Sequence, residues 1–150
     1  MKSFLLKSGH PIIKFSLLPD NTFYEGTIPE GYALAICPTN EKQIILDVDN
    51  KNGKCGFDHI PFNINVELGR SFNYYTKSGG AHYFLNYTGD KLLKNCATEF
   101  GLDLRIGANK ATKNAGGYVR YNGSIPVKEI EPLIKLTSPE LNIWLEKLFS

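Results

Sequence analysis

Between residues 32 and 121 short apolar and aromatic runs alternate with clusters of turn-forming residues, a rhythm that strands and hairpins can use and a long helix cannot. Tyr32–Cys37 (YALAIC) and Gln43–Val48 (QIILDV) are apolar runs separated by Pro38, Thr39 and Asn40. Both read as strands, paired as a buried hairpin. Turn-formers from residue 49 to residue 56 end the second run abruptly. The aromatic runs at 71–75 (SFNYY) and 81–87 (AHYFLNY) flank Lys77-Ser78-Gly79-Gly80 and predict a second hairpin. A third pair is expected from Leu102–Ile106 and residues 117–121 (GYVRY), joined by the polar loop 107–116. Helical signals are confined to residues 90–100 and the tail. In the tail Ser138 is placed to cap a helix with Pro139 in its first turn, and Leu141, Trp144, Leu145 and Leu148 recur at helical spacing. The pattern predicts an α+β fold.

The 150 residues are 42% hydrophobic, enough for a single domain over 1–150 that buries roughly two thirds of its unfolded surface. No repeat, low-complexity tract or flexible linker divides the sequence. A formal net charge of +2 permits nucleic-acid binding without announcing it. Cys37, Cys55 and Cys96 stand far apart with no C-x-x-C pair, which argues against a disulfide framework and against a four-ligand zinc site. Reduced thiols in a cytoplasmic protein are expected. The apolar runs at the amino terminus are too short for a signal peptide, and no stretch approaches the roughly 20 apolar residues of a membrane span. A soluble protein with no membrane partner is expected.

Asp47-Val48-Asp49 closes an apolar strand, and residues i and i+2 of a strand share a face about 6.5–7 Å apart. Two carboxylates held together repel unless a cation lies between them, and hard oxygen ligands suit Mg²⁺ or Mn²⁺. The alternative is that both acids cap a turn. Asp103, in GLDLRIG, is a third acid inside an apolar alternating run, where it needs a partner: a shared metal site, or a salt bridge with Arg105 two residues on. Three aspartates on neighbouring strand ends can serve two ions about 3.5–4 Å apart, the arrangement of nucleotidyl transfer. Lys77, Ser78, Gly79, Gly80 and His82 bring together a cation, a hydroxyl, two glycines and an imidazole, a set that suits phosphates without the spacing of a Walker A loop. The plainer reading is a hairpin turn followed by a partly buried histidine.

Taken in order, IILDVD, KSGGAHYFL and GLDLRIG…GGYV resemble the three motifs of the archaeo-eukaryotic primase superfamily, in its bifunctional primase-polymerase branch, and the likeness runs from about Tyr32 to about Tyr121. The resemblance implies a catalytic sheet of the RNA-recognition type with a small amino-terminal α/β unit and a cleft between them. It implies that Asp47, Asp49 and Asp103 are catalytic and hold two Mg²⁺ or Mn²⁺ ions, with no zinc expected. Ser78, Gly79, Gly80, His82 and Arg105 would bind the nucleotide, His82 and Arg105 through its phosphates. Substrates would be NTPs or dNTPs joined to a 3′ hydroxyl on a single-stranded DNA template, and a separate replicative helicase is the implied partner. Lys77, Lys110 and Lys113 are added as nucleic-acid contacts from charge and loop position, with exposed aromatics among Phe72, Tyr74, Tyr75 and Tyr83 as stacking platforms. Two departures stand out: the loop between Asp103 and Gly116 is longer than the family's turn, and RYNGSI replaces a proline-rich run. The same residues also suit a nucleotide- or single-strand-binding module without catalysis, or a metal-dependent phosphodiesterase.

Overall fold

The run QIILDV is apolar on both of its faces, so as a strand it needs cover above and below and a partner along each edge. The computed structural model describes residues 1–109 and 111–150 and gives it all four. In chain order the strands are β1 (Lys2–Lys7), β2 (His10–Pro11), β3 (Tyr32–Cys37), β4 (Gln43–Val48), β5 (Asn50–Lys51), β6 (Lys54–Cys55), β7 (Asn73–Tyr75), β8 (Ala81–Asn86), β9 (Cys96–Ala97), β10 (Leu102–Ile106), β11 (Val119–Arg120) and β12 (Lys135–Leu136). Two α-helices, α1 (Phe62–Leu68) and α2 (Pro139–Phe149), complete the α+β fold. Among the described residues no helix is long and apolar enough to cross a membrane.

The larger sheet runs β12-β8-β4-β10-β9, with β7 also paired to β8. Ile44, Leu46 and Val48 of β4 join Leu102, Leu104 and Ile106 of β10 and face Ile64, Leu68, Leu141, Leu145 and Phe149 of the two helices. The opposite face carries Ile45 and Phe84, which pack against Ile36, Val119 and Tyr121 of the smaller sheet and its flank. That smaller sheet, ordered β11-β3-β1-β2, is covered on its far side by Phe15, Leu18 and Tyr118 over Phe4, Leu6, Ala35 and Cys37. The layers are therefore helices, large sheet, small sheet. Ser138 caps α2 as its sequence predicts, its Oγ accepting from the Leu141 amide at 3.1 Å.

Several expectations are corrected. β3 and β4 form over the predicted residues but not as a hairpin, because β8 and β10 occupy both edges of β4 while β3 pairs along its whole length with β1 and, on its other edge, with β11. For the same reason Leu102–Ile106 and the GYVRY segment are not partners: β10 lies against β4 and β11 lies in the other sheet. No helix forms over residues 90–100. Asn95 Oδ1 accepts from the Ile106 amide at 2.8 Å, and Thr98 Oγ1 exchanges bonds with both the amide and the carbonyl of Leu102. Together with β9, which pairs there, these side chains satisfy the edge of β10 away from β4 instead of a helical ladder. The amino-terminal unit is a sheet with one 3₁₀ turn, Phe15–Leu17, where an α/β unit is expected.

Candidate functional site

Register assembles the site. Tyr74 of β7 lies opposite His82 of β8, His82 opposite Asp47 of β4, and Asp47 opposite Asp103 of β10. The four residues form one row across four strands. They share the face of Ile45 and Phe84, the one turned toward the small sheet, because side chains two apart on a strand point the same way. His82 is 5% exposed. Its Nε2 stands 3.1 Å from Asp47 Oδ1 and its Nδ1 stands 2.7 Å from the Tyr74 hydroxyl, so both ring nitrogens are occupied within the protein. Asp103 Oδ1 accepts from the Thr98 amide at 3.1 Å, and its Oδ2 lies 3.7 Å from Arg105 Nη2, an ion pair too long for a good hydrogen bond. Arg105 also donates to the Leu104 carbonyl at 3.2 Å and packs against Gly117.

Asp49 stands just past the end of β4, where the strand bends into the β5–β6 hairpin. Its amide donates to the Gly101 carbonyl and its own carbonyl accepts from the Gly56 amide, both at 2.8 Å. Burial, then the negative charges of Asp47 and Asp103, push its carboxyl above the usual range, with Lys51 and His82 opposing. Asp47 and Asp49 of one motif and Asp103 of another are thus close enough for their charges to act on one another.

The native state holds the Asp49 proton more tightly than the unfolded chain does. The stability this group contributes is therefore present below its ordinary value of 3.8 and is lost as pH rises through the raised value. Asp49→Asn is expected to raise stability at neutral pH, by no more than about 1 kcal/mol for a partly exposed carboxylate. The gain should vanish in acid, which thermal melts of both proteins from about pH 3 to about pH 8 would check.

The glycine turn abuts the same strand end. The Thr76 amide donates to the Gly80 carbonyl at 2.9 Å and the Gly79 amide to the Thr76 carbonyl at 3.0 Å, closing residues 76–80 into a tight loop with Gly79 at φ +86°. Gly80 lies against the Val48 carbonyl and Gly79 against the Asn50 side chain, which sets Ser78 and the exposed Lys77 beside the acids' end of β4. Ser78 Oγ is 3.3 Å from Thr76 Oγ1. Lys113 is placed elsewhere. It belongs to the hairpin bridged at Asn109 and Asn114, whose Thr112 donates to Glu41 at 2.9 Å, so it stands at the start of β4 and away from the acids. Lys110 lies outside the described residues. Of the aromatics, Phe72 and Tyr74 pack against the inter-sheet core and Tyr83 lies in the helix-side core, whereas Tyr75 is 74% exposed beside the turn. Sequence reasoning passes over Lys51, a neighbouring charge of Asp49, and names Tyr74 only as a stacking aromatic, whereas the structure makes it a partner of His82.

Among the described residues no three acid, imidazole or thiol side chains already close around a common point. The donor set nevertheless fits a hard divalent cation in its chemistry: carboxylate oxygens from two strands, mutually repulsive and only partly offset by neighbouring cations. No family model matches the chain, and no curated protein matches it.

Proposed function

We propose that the chain is a metal-dependent, template-directed nucleotidyltransferase of the primase-polymerase type. The observation that carries this reading is that Asp47, Asp49 and Asp103 lie near one end of β4, with a glycine turn packed onto that same strand. The α+β architecture, with a large sheet that is antiparallel except for its edge strand β12, backed by two helices and faced by a smaller sheet, is compatible with a catalytic sheet of the RNA-recognition type.

Asp47, Asp49 and Asp103 would hold Mg²⁺ or Mn²⁺, which when bound lowers the pKa of the attacking hydroxyl and offsets charge on the triphosphate. Lys77, Ser78 and the 76–80 turn would seat the phosphates, with Arg105 on the other flank of the acids. Tyr75 offers an open ring on which a template base can stack. In the reaction the 3′ hydroxyl oxygen bonds to the α-phosphorus, the bond to the bridging oxygen breaks, the hydroxyl proton passes to solvent, and pyrophosphate leaves.

A second reading is favoured by the internal pairing of Asp47 with His82 and of Asp103 with Thr98 and Arg105: a nucleotide- or single-strand-binding module whose acids are structural. An end-labelled primer on a longer template, incubated with NTPs or dNTPs and Mn²⁺ or Mg²⁺, separates the cases. Growth of the labelled strand is the expected result. Shortening would mean a phosphodiesterase, and an unchanged but bound strand would mean a binding module.

A further inference from the structure

Tyr74, His82 and Asp47 are linked more tightly than the proposed chemistry alone requires. The Tyr74 ring is wedged among Phe72, Phe84 and Tyr121, with centroid separations of 6.1, 5.9 and 5.2 Å. Its hydroxyl stands 2.7 Å from His82 Nδ1 and 3.2 Å from the Arg120 carbonyl of the small sheet. The shorter bond can run either way: Nδ1 accepts the phenol's hydrogen, or Nδ1–H donates to the phenol oxygen while the phenol donates to the Arg120 carbonyl. A carboxylate only accepts, so in either arrangement Nε2, 3.1 Å from Asp47 Oδ1, is the nitrogen that donates to it. Phenol, imidazole and carboxylate thus form one hydrogen-bond chain that leads from the small sheet to Asp47. Burial pushes the Tyr74 hydroxyl well above its ordinary range, so it remains a donor.

We propose that Tyr74 and His82 are positioning residues for Asp47: the hydrogen-bond chain across β7, β8 and β4 fixes one carboxylate oxygen so that the other faces the divalent ion. The inference rests on the metal site of the proposed function. It differs from the role that the resemblance implies for His82, because a ring with both nitrogens engaged and 5% exposed has no free nitrogen for a phosphate. Hydrogen-bond partners of metal ligands commonly change metal affinity by about 10–100-fold when removed.

The test is Mn²⁺ binding to the full chain without nucleotide, read from the free-ion electron paramagnetic resonance signal, with a thermal melt of each variant to confirm folding. Tyr74→Phe removes only the hydroxyl and is expected to weaken Mn²⁺ about 10-fold. Tyr121→Phe is the matched control: it removes a hydroxyl bonded to the Ile125 carbonyl from a ring packed on Tyr74, and it should leave affinity unchanged. His82→Ala should weaken the bare ion at least as much as Tyr74→Phe, which loss of a phosphate contact would not do. Equal affinities in wild type and Tyr74→Phe, with binding lost in Asp47→Asn, would overturn the inference alone. No Mn²⁺ binding by the wild type would overturn the metal site and the inference with it.

Discussion

Asp47→Asn is expected to cut nucleotide incorporation by at least about 100-fold, equivalent to roughly 2.7 kcal/mol of transition-state stabilisation. Asp47 sits at the centre of the row, opposite Asp103 on one side and His82 on the other, and two residues before Asp49. Asparagine preserves the shape and can still accept from His82, so the hydrogen-bond chain survives and only the charge is lost. The loss should therefore fall on turnover and on Mn²⁺ affinity, while the melting transition stays where it was or rises, because one member of a repelling cluster is gone. Incorporation rates measured across a Mn²⁺ titration, beside thermal melts, separate these effects. A variant that keeps wild-type rates would remove Asp47 from the catalytic machinery.

Gly80→Ala should destabilise the fold by about 3 kcal/mol, the upper range for forcing extra atoms into a packed site. A Cβ on Gly80 would overlap the Val48 carbonyl oxygen and come within 3.3 Å of its carbon, and those atoms are backbone of the central strand, held by neighbours on both edges. For a chain of this size such a loss corresponds to a fall of about 6–12 °C in the melting midpoint. Gly53 is a useful contrast. It lies at φ +76° in the turn between β5 and β6, but a Cβ there meets nothing within 4 Å, so Gly53→Ala costs only the backbone strain of about 1 kcal/mol. Calorimetric melts of the two variants should differ accordingly. Equal midpoints would mean that the 76–80 turn is not packed on β4 as described.

Local chemistry was legible in the sequence, and pairing over distance was not. QIILDV announces a strand by its unbroken apolar run, and Ser138-Pro139 announces the start of α2 by cap chemistry; both form over the expected residues. β1 goes unread because KSFLLK gains its meaning only from β3, a partner some thirty residues downstream whose apolar pattern would suit several neighbours. α1 is missed because Ile64 and Leu68 alone face inward while Phe62 and Val66 lie exposed, leaving no clean apolar stripe to detect. The helical reading of residues 90–100 fails because Asn95 and Thr98 spend their side chains on β10.

The acids of the site were found one motif at a time, but the register that sets Asp103 opposite Asp47 depends on a non-local pairing that no local pattern specifies. The Tyr74–His82 pair was accessible. Counting outward from the 76–80 turn places Tyr75 opposite Ala81 and Tyr74 opposite His82. Charge and loop position point to Lys113 as a nucleic-acid contact, but antiparallel pairing carries its loop to the end of β4 away from the acids.

The most direct measurement is single-nucleotide addition. Primed templates that differ only in their first unpaired base would each be offered one nucleoside triphosphate at a time with Mn²⁺, and extension read on a denaturing gel beside Asp49→Ala. The account predicts addition that follows the template base, releases pyrophosphate and disappears in Asp49→Ala. Addition that ignores the template, persists in Asp49→Ala, or never occurs while the strand and the triphosphate both bind would contradict it.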